Sequence, residues 1–190
     1  VGNEAQMTGG KLRELDAIAY PADRLRLVIV DGGSSDGTVA AITAHTGDDG
    51  RWLPVFTSLA SKPAQLNEGL LRTAAPWILV TDADARMPPD TLPRLVTAVT
   101  RDPRVGVVGT TVLPHNAHPL DVWHWRASNW IRRLEQRATG SAGLVVAPCY
   151  LFRRDLLDRF PDDAIARDLH VVCRAAMKGM RTAEVGSGVT

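Results

Sequence analysis

Between Trp77 and Ala85 the chain reads W-I-L-V-T-D-A-D-A, a short apolar run that stops on two carboxylates one residue apart. An apolar run of this length reads as a buried strand. In an open α/β sheet the carboxyl ends of strands are where ligands bind. Asp82 and Asp84 would repel each other unless a cation or hydrogen-bond donors offset them. A divalent metal that also holds a diphosphate is the simplest partner.

The rest of the chain alternates in kind. Helical patterns cover residues 4–18, 37–46, 62–73, about 88–100, 122–138, 154–159 and 168–177. Between them lie strand-like runs at 25–30, 53–57, 77–81, 105–112, within 142–152, and at 181–185. Such alternation predicts an α/β fold, a mainly parallel sheet with helices on both faces. No repeat or low-complexity tract interrupts the 190 residues, which we read as one domain, 1–190. The first residues leave no room for a full strand before the first helix, so the first strand is expected to be largely missing and the domain truncated at both ends.

The formal net charge is +1, with positive residues scattered, so there is no electrostatic case for nucleic acid. Cys149 and Cys173 stand apart with no CxxC spacing, which argues against zinc. Free thiols and a reducing compartment follow as the default. No run of 18 apolar residues occurs, so any membrane contact is expected through segments outside this stretch.

Several segments carry chemistry, each with a plainer alternative. Asp31 closes a β-branched run and opens D-G-G-S-S-D-G-T. It is placed to accept hydrogen bonds from a base or ribose, and equally to bond only local N–H groups in a turn. Ser35 or Asp36 is expected to cap the following helix. Lys62, at a helix start, reaches a diphosphate or simply faces solvent. Asp168 is a general base or a helix cap, and His170 reads as structural. Trp123, Trp125 and Trp130 could flank a sugar or rest on a membrane, but the seven-residue spacing of Trp123 and Trp130 fits core packing, which we take as the expectation.

Taken together these segments resemble the family 2 glycosyltransferases of GT-A fold. The resemblance rests on Asn3-Glu4-Ala5, Tyr20-Pro21, the loop from Val30 to Thr38, Lys62 with Gln65-Leu66-Asn67, Thr81-Asp82-Ala83-Asp84-Ala85, Phe152-Arg153-Arg154, and Ala166-Arg167-Asp168-Leu169 followed by Arg174 and Gly179. It implies inverting transfer of a sugar from a UDP- or GDP-sugar to a carbohydrate or lipid-linked hydroxyl, with Mg2+ or Mn2+. Glu4, Asp31, Lys62 and Asp82 would bind the nucleotide sugar, Asp82 and Asp84 the metal, and Asp168 would be the base. The full-length protein is expected in the cytoplasm at the inner face of the membrane, in polysaccharide biosynthesis.

Three departures stand out. Arg167 replaces an acid beside the base, and a cation there weakens it. Gly32 replaces a second Asp, and Pro148-Cys149-Tyr150 replaces a small acceptor-loop motif. Two alternatives follow. A sugar-nucleotidyltransferase would be expected to carry a glycine-rich G-x-G-T-R loop, which is absent from the sequence. A non-catalytic nucleotide-binding fragment would fit Arg167 and the altered Pro148 segment.

Overall fold

The computed structural model describes residues 1–47, 49–112, 114, 118–143, 148–163 and 166–189. Ile165 and residues 144–147 of the strand expected within 142–152 lie outside these.

The N-terminal half is a parallel pair, β1 (Leu27–Asp31) and β2 (Trp52–Phe56), in register from Leu27 against Trp52 to Asp31 against Phe56. α1 (Ala5–Asp16) and α2 (Thr38–Thr46) cover one face, where Leu12, Leu27, Ile42 and Trp52 are buried together. Side chains alternate along a strand, so Val30 faces the other way, toward Gly69 of α3 (Lys62–Leu71). The opening residues lie along β1: the Val1 amine donates to the Val30 carbonyl at 2.8 Å, and Gly32 N–H donates to the Val1 carbonyl at 3.1 Å.

The second sheet has the order β3 (Trp77–Thr81), β5 (Cys149–Arg153), β4 (Val105–Val112), β6 (Arg181–Val189). β4 and β6 are parallel, as the alternation predicts, but β5 runs antiparallel to both neighbours. Ala142 N–H bonds the Thr182 carbonyl near the start of β6, whereas Cys149 pairs with Thr81 at the end of β3. β5 thus starts beside the end of β3 and runs back along it. That reversal puts Cys149 and Tyr150 beside the carboxyl end of β3.

Both faces of this sheet are buried. Tyr150 and Phe152 point to one cluster with Leu156, Phe160 and Val171, under α6 (Arg167–Met177). Cys149 and Leu151 point to the opposite cluster with Leu92, Leu95 and Val99 of α4 (Thr91–Arg101), whose spacing makes one apolar stripe. All eight residues of β4 are buried, as a central strand covered on both sides requires.

α5 (Pro119–Thr139) breaks this pattern and corrects the expectation for its tryptophans. Trp123 is 69% exposed and Trp130 61%, and Asn129 is the one buried residue of the helix. The sheet's apolar faces are already taken by α4 and α6, so α5 meets β4 and β6 with polar side chains. Asn129 Nδ2 donates to the Val112 carbonyl at 2.9 Å, Arg132 Nε pairs with Glu184 at 2.7 Å, and Gln136 accepts from Glu184 N–H at 2.8 Å. The segment expected as a helix over 154–159 is a single 3-10 turn, Arg154–Leu156.

Candidate active site

Two loops meet at the start of α1. Gly33, with φ +91°, bends the loop after β1 back on itself. Asp31 is buried, and its Oδ2 accepts from the N–H groups of Gly33 and Ser34, each at 3.0 Å, while Oδ1 takes the Ser34 hydroxyl. These are the local bonds of a turn. Asp36 does not cap through the helix's N-cap position, which Gly37 occupies in the left-handed region with φ 94°. Its Oδ1 accepts from Thr38 N–H at 3.1 Å and from the Thr38 hydroxyl at 2.6 Å, and its Oδ2 accepts from Ala5 N–H at 3.0 Å. The Thr38 hydroxyl accepts in turn from Glu4 N–H at 3.0 Å. Asp36 thus satisfies first-turn donors of two helices. These hydrogen bonds, that of Thr38 foremost, hold its carboxyl below the usual range. Glu4 is half-buried, and its Oε2 is a buried carboxylate oxygen with no partner among the described residues.

Lys62 opens α3, and its Nζ lies 2.5 Å from Asp82 Oδ1. This joins two of the candidate residues across the start of a helix and the end of β3. Asp84, two residues on, is exposed and makes no ion pair or hydrogen bond with another described residue. Beneath this loop sits Lys11, a lysine only 7% exposed. Its ammonium donates to the Ala85 carbonyl at 2.6 Å and the Thr81 hydroxyl at 3.1 Å, and pairs with Glu14 at 2.8 Å. One cation therefore ties both ends of T-D-A-D-A to α1. Sequence reasoning missed it. The available signal was a charged residue falling on the stripe formed by Thr8, Leu12 and Leu15.

Asp168 occupies the second position of α6, half-buried, with no side-chain cap on that helix. Tyr150 relates it to Asp82. Burial first, and then the nearby Asp168 carboxylate, push the Tyr150 phenol well above its usual range; Asp82 acts on it in the same sense and Arg167 in the opposite one. The charges of Asp168, Arg167 and Asp82 are therefore all within electrostatic reach of one buried ring. Likewise Glu4, Asp31 and Lys62 all act on the Val1 amine, which burial chiefly lowers. Glu4, Asp31 and Lys62 are thus related through the Val1 amine, Asp82 and Asp168 through the Tyr150 ring, and Lys62 bonds Asp82. Asn67 holds the far wall, its amide bonding both the N–H and the carbonyl of Phe160, at 2.7 and 3.0 Å.

Cys149 is shut in beside Met87, and burial pushes its thiol up to about 12, so it is not a nucleophile. Two open hollows lie elsewhere, one along the outer side of α6 near His170, the other between Arg24, Arg51 and Arg72. Neither contains the acids, and we place the site by its chemistry.

For a metal, no three His, Cys, Asp or Glu side chains converge among the described residues. The donors on hand, Asp82 and the unpaired Asp84, are hard oxygen ligands. A Mg2+-type site often takes one or two carboxylates and completes its shell with phosphate and water. The residues fit such a cation.

The profile of glycosyl transferase family 2 matches residues 3–160. Over 136 residues the chain is 30% identical to an undecaprenyl-phosphate 4-deoxy-4-formamido-L-arabinose transferase of Sodalis glossinidius, covering 70% of this chain and 40% of that protein. The chain spans about half the length of the curated relatives it matches, 40% and 48% for two of them. A mannosyltransferase of Pyrobaculum calidifontis, solved in complex with GDP-Man and Mn2+, superposes with TM-score 0.78 at 29% identity, over 98% of this chain and 52% of that one. The glucosyl-3-phosphoglycerate synthase of Mycobacterium tuberculosis, at 16% identity, 100% of this chain, 68% of that one and TM-score 0.65, shares the fold.

Proposed function

Because the chain belongs to glycosyl transferase family 2, we propose that it forms the catalytic fold of an inverting, metal-dependent glycosyltransferase. It takes a sugar from a UDP- or GDP-sugar to a hydroxyl of a carbohydrate or lipid-linked acceptor, in the cytoplasm at the inner face of the membrane. Asp82 and Asp84 hold Mg2+ or Mn2+; when bound, the cation offsets the charge gathering on the departing diphosphate. Asp31 and Glu4 lie toward the nucleoside, and Lys62 exchanges its contact with Asp82 for the phosphates. Asp168 takes the proton of the acceptor hydroxyl. The acceptor oxygen bonds the anomeric carbon as the bond from that carbon to the diphosphate oxygen breaks, and the electron pair leaves with the diphosphate. One displacement inverts the centre and forms no covalent enzyme intermediate.

The observation that supports this reading is that the Asp82 and Asp168 carboxylates both lie within electrostatic reach of the Tyr150 phenol and act on it in the same sense. The Mn2+ and GDP-Man of the Pyrobaculum structure support the donor and metal classes. A second reading draws on the name of the Sodalis relative, in which the acceptor is a polyprenyl phosphate. A phosphate oxygen has no proton to give up near neutral pH, so Asp168 would then orient rather than deprotonate.

Calorimetry with UDP- and GDP-sugars tests the proposal. Binding that requires Mn2+, followed by release of nucleoside diphosphate, is the expected result. Binding without release returns the non-catalytic alternative. Absence of metal-stimulated binding to either nucleotide overturns the proposal.

A further inference from the structure

α5 is amphipathic in the inverted sense. Its inward side is polar, through Asn129, Arg132 and Gln136, while Leu120, Trp123, Trp130, Ile131 and Leu134 stand 40–69% exposed on the opposite side. At 100° per residue these five fall within about one third of the helix circumference. Beside them on one flank lie Arg126, Arg133 and Arg137, all exposed and none paired with a carboxylate among the described residues. The acids of α5, Asp121 and Glu135, lie toward the other flank, and Glu135 is engaged by Gly143 N–H. No described helix is long and apolar enough to cross a membrane, α5 included.

From this we infer that the outward face of α5 lies flat on an anionic lipid bilayer. Trp123 and Trp130 sit at headgroup depth, Leu120, Ile131 and Leu134 reach the acyl boundary, and the three arginines meet lipid phosphates. Three features favour lipid as the occupant. Exposed Trp and branched aliphatic residues on a helix held to its own domain by polar contacts have no core left to enter. Indole rings suit the boundary between headgroups and hydrocarbon. Three unpaired guanidinium groups on one flank complement an anionic surface. The inference concerns a surface, goes beyond the proposed transfer, and holds whether or not the chain transfers sugar.

The test is cosedimentation of the 190-residue chain with vesicles of phosphatidylcholine alone or mixed with phosphatidylglycerol. The chain should bind the anionic vesicles and be released by salt. The double variant Trp123→Gln/Trp130→Gln should lose about tenfold or more of its partitioning, since each indole withdraws a large apolar area from water. Each of Arg126→Gln, Arg133→Gln and Arg137→Gln should cost about fivefold on anionic vesicles and little on neutral ones. Because these side chains are exposed, thermal melts should match the parent and exclude misfolding as the cause. No binding, or binding indifferent to these substitutions, overturns the inference. So does a concentration-dependent dimer in sedimentation equilibrium that the Trp variant dissolves, which would assign the face to a second copy. Nucleotide-sugar calorimetry on the same samples reports separately on the proposed function.

Discussion

On the proposed donor side, Asp31 spends its oxygens on donors of its own turn and Asp36 on donors of the two helices it joins, while Lys11 clasps both ends of the loop bearing Asp82 and Asp84. On the acceptor side, the segment into α6 begins at an uncapped helix, and α5 turns its apolar side chains outward. Under the proposed function, the difference matches what each half would meet. A nucleotide is a small ligand of fixed shape, and groups held by internal bonds need no reordering to receive it. An acceptor that is large or embedded in a bilayer calls for an open side, with exposed surface in place of internal partners.

The largest effect expected on this contrast comes from Asp84, an exposed acid without an internal partner among the described residues. Asp84→Ala should abolish metal-dependent nucleotide binding, leaving no binding heat that depends on Mn2+. Its side chain is exposed, so the melting temperature should stay close to the parent's. Unchanged affinity in calorimetry with Mn2+ present would show that the carboxylate does not hold the metal.

Next in size is the acceptor-side acid. Asp168→Asn should leave donor affinity within about twofold while lowering transfer to a hydroxyl acceptor by about 10²–10⁴, the usual worth of a positioned base. Transfer retained with a phosphate acceptor favours the second reading. Transfer retained with a hydroxyl acceptor means that another group removes the proton.

Much of the donor side is legible in the sequence because it is local. β3 and β4 fall at their expected bounds, since an apolar run ended by a polar turn specifies a strand without reference to anything distant. The loops after β1 and β3 are equally visible, since glycine and aspartate after a strand favour a turn. What is not legible depends on who the neighbour is. The seven-residue spacing of Trp123 and Trp130 defines a face but not its direction, and that was decided by α4 and α6 having covered the sheet first. The antiparallel run of β5 shows in the pairing of Cys149 with Thr81, distant in sequence. Asp31 could be read as a ligand contact or as a turn, and burial beside Gly33 and Ser34 fills its oxygens with local donors. Lys11 reads as an ordinary helical lysine until the Ala85 carbonyl is placed above it.

Lys11→Met sharpens the comparison from the donor side. Removing the ammonium leaves the Glu14 carboxylate, the Thr81 hydroxyl and the Ala85 carbonyl without their shared donor. A loss of about 2–4 kcal/mol is expected, because stranded polar groups keep their desolvation cost. For a domain of this size that lowers the melting temperature by roughly 5–15 °C. Mn2+ affinity should fall further than donor affinity measured at saturating Mn2+, since the loop loses its anchor. A drop in stability with metal affinity intact would restrict Lys11 to holding the fold.

The smallest expected effect is a pH dependence at the joint between the loop and α1. Asp36 is held below its usual range by Thr38 first and Ala5 next. A carboxyl depressed by folding binds its proton more weakly in the folded chain than in the unfolded one. Its contribution is therefore complete above the unfolded value and fades as pH falls through the folded one. Asp36→Asn should flatten the acid limb of a plot of melting temperature against pH while leaving the neutral plateau only slightly lower. An acid limb equally steep in the parent and in Asp36→Asn would mean that the donor-side joint is held by the Asn3, Ser34 and Ser35 bonds, which do not titrate.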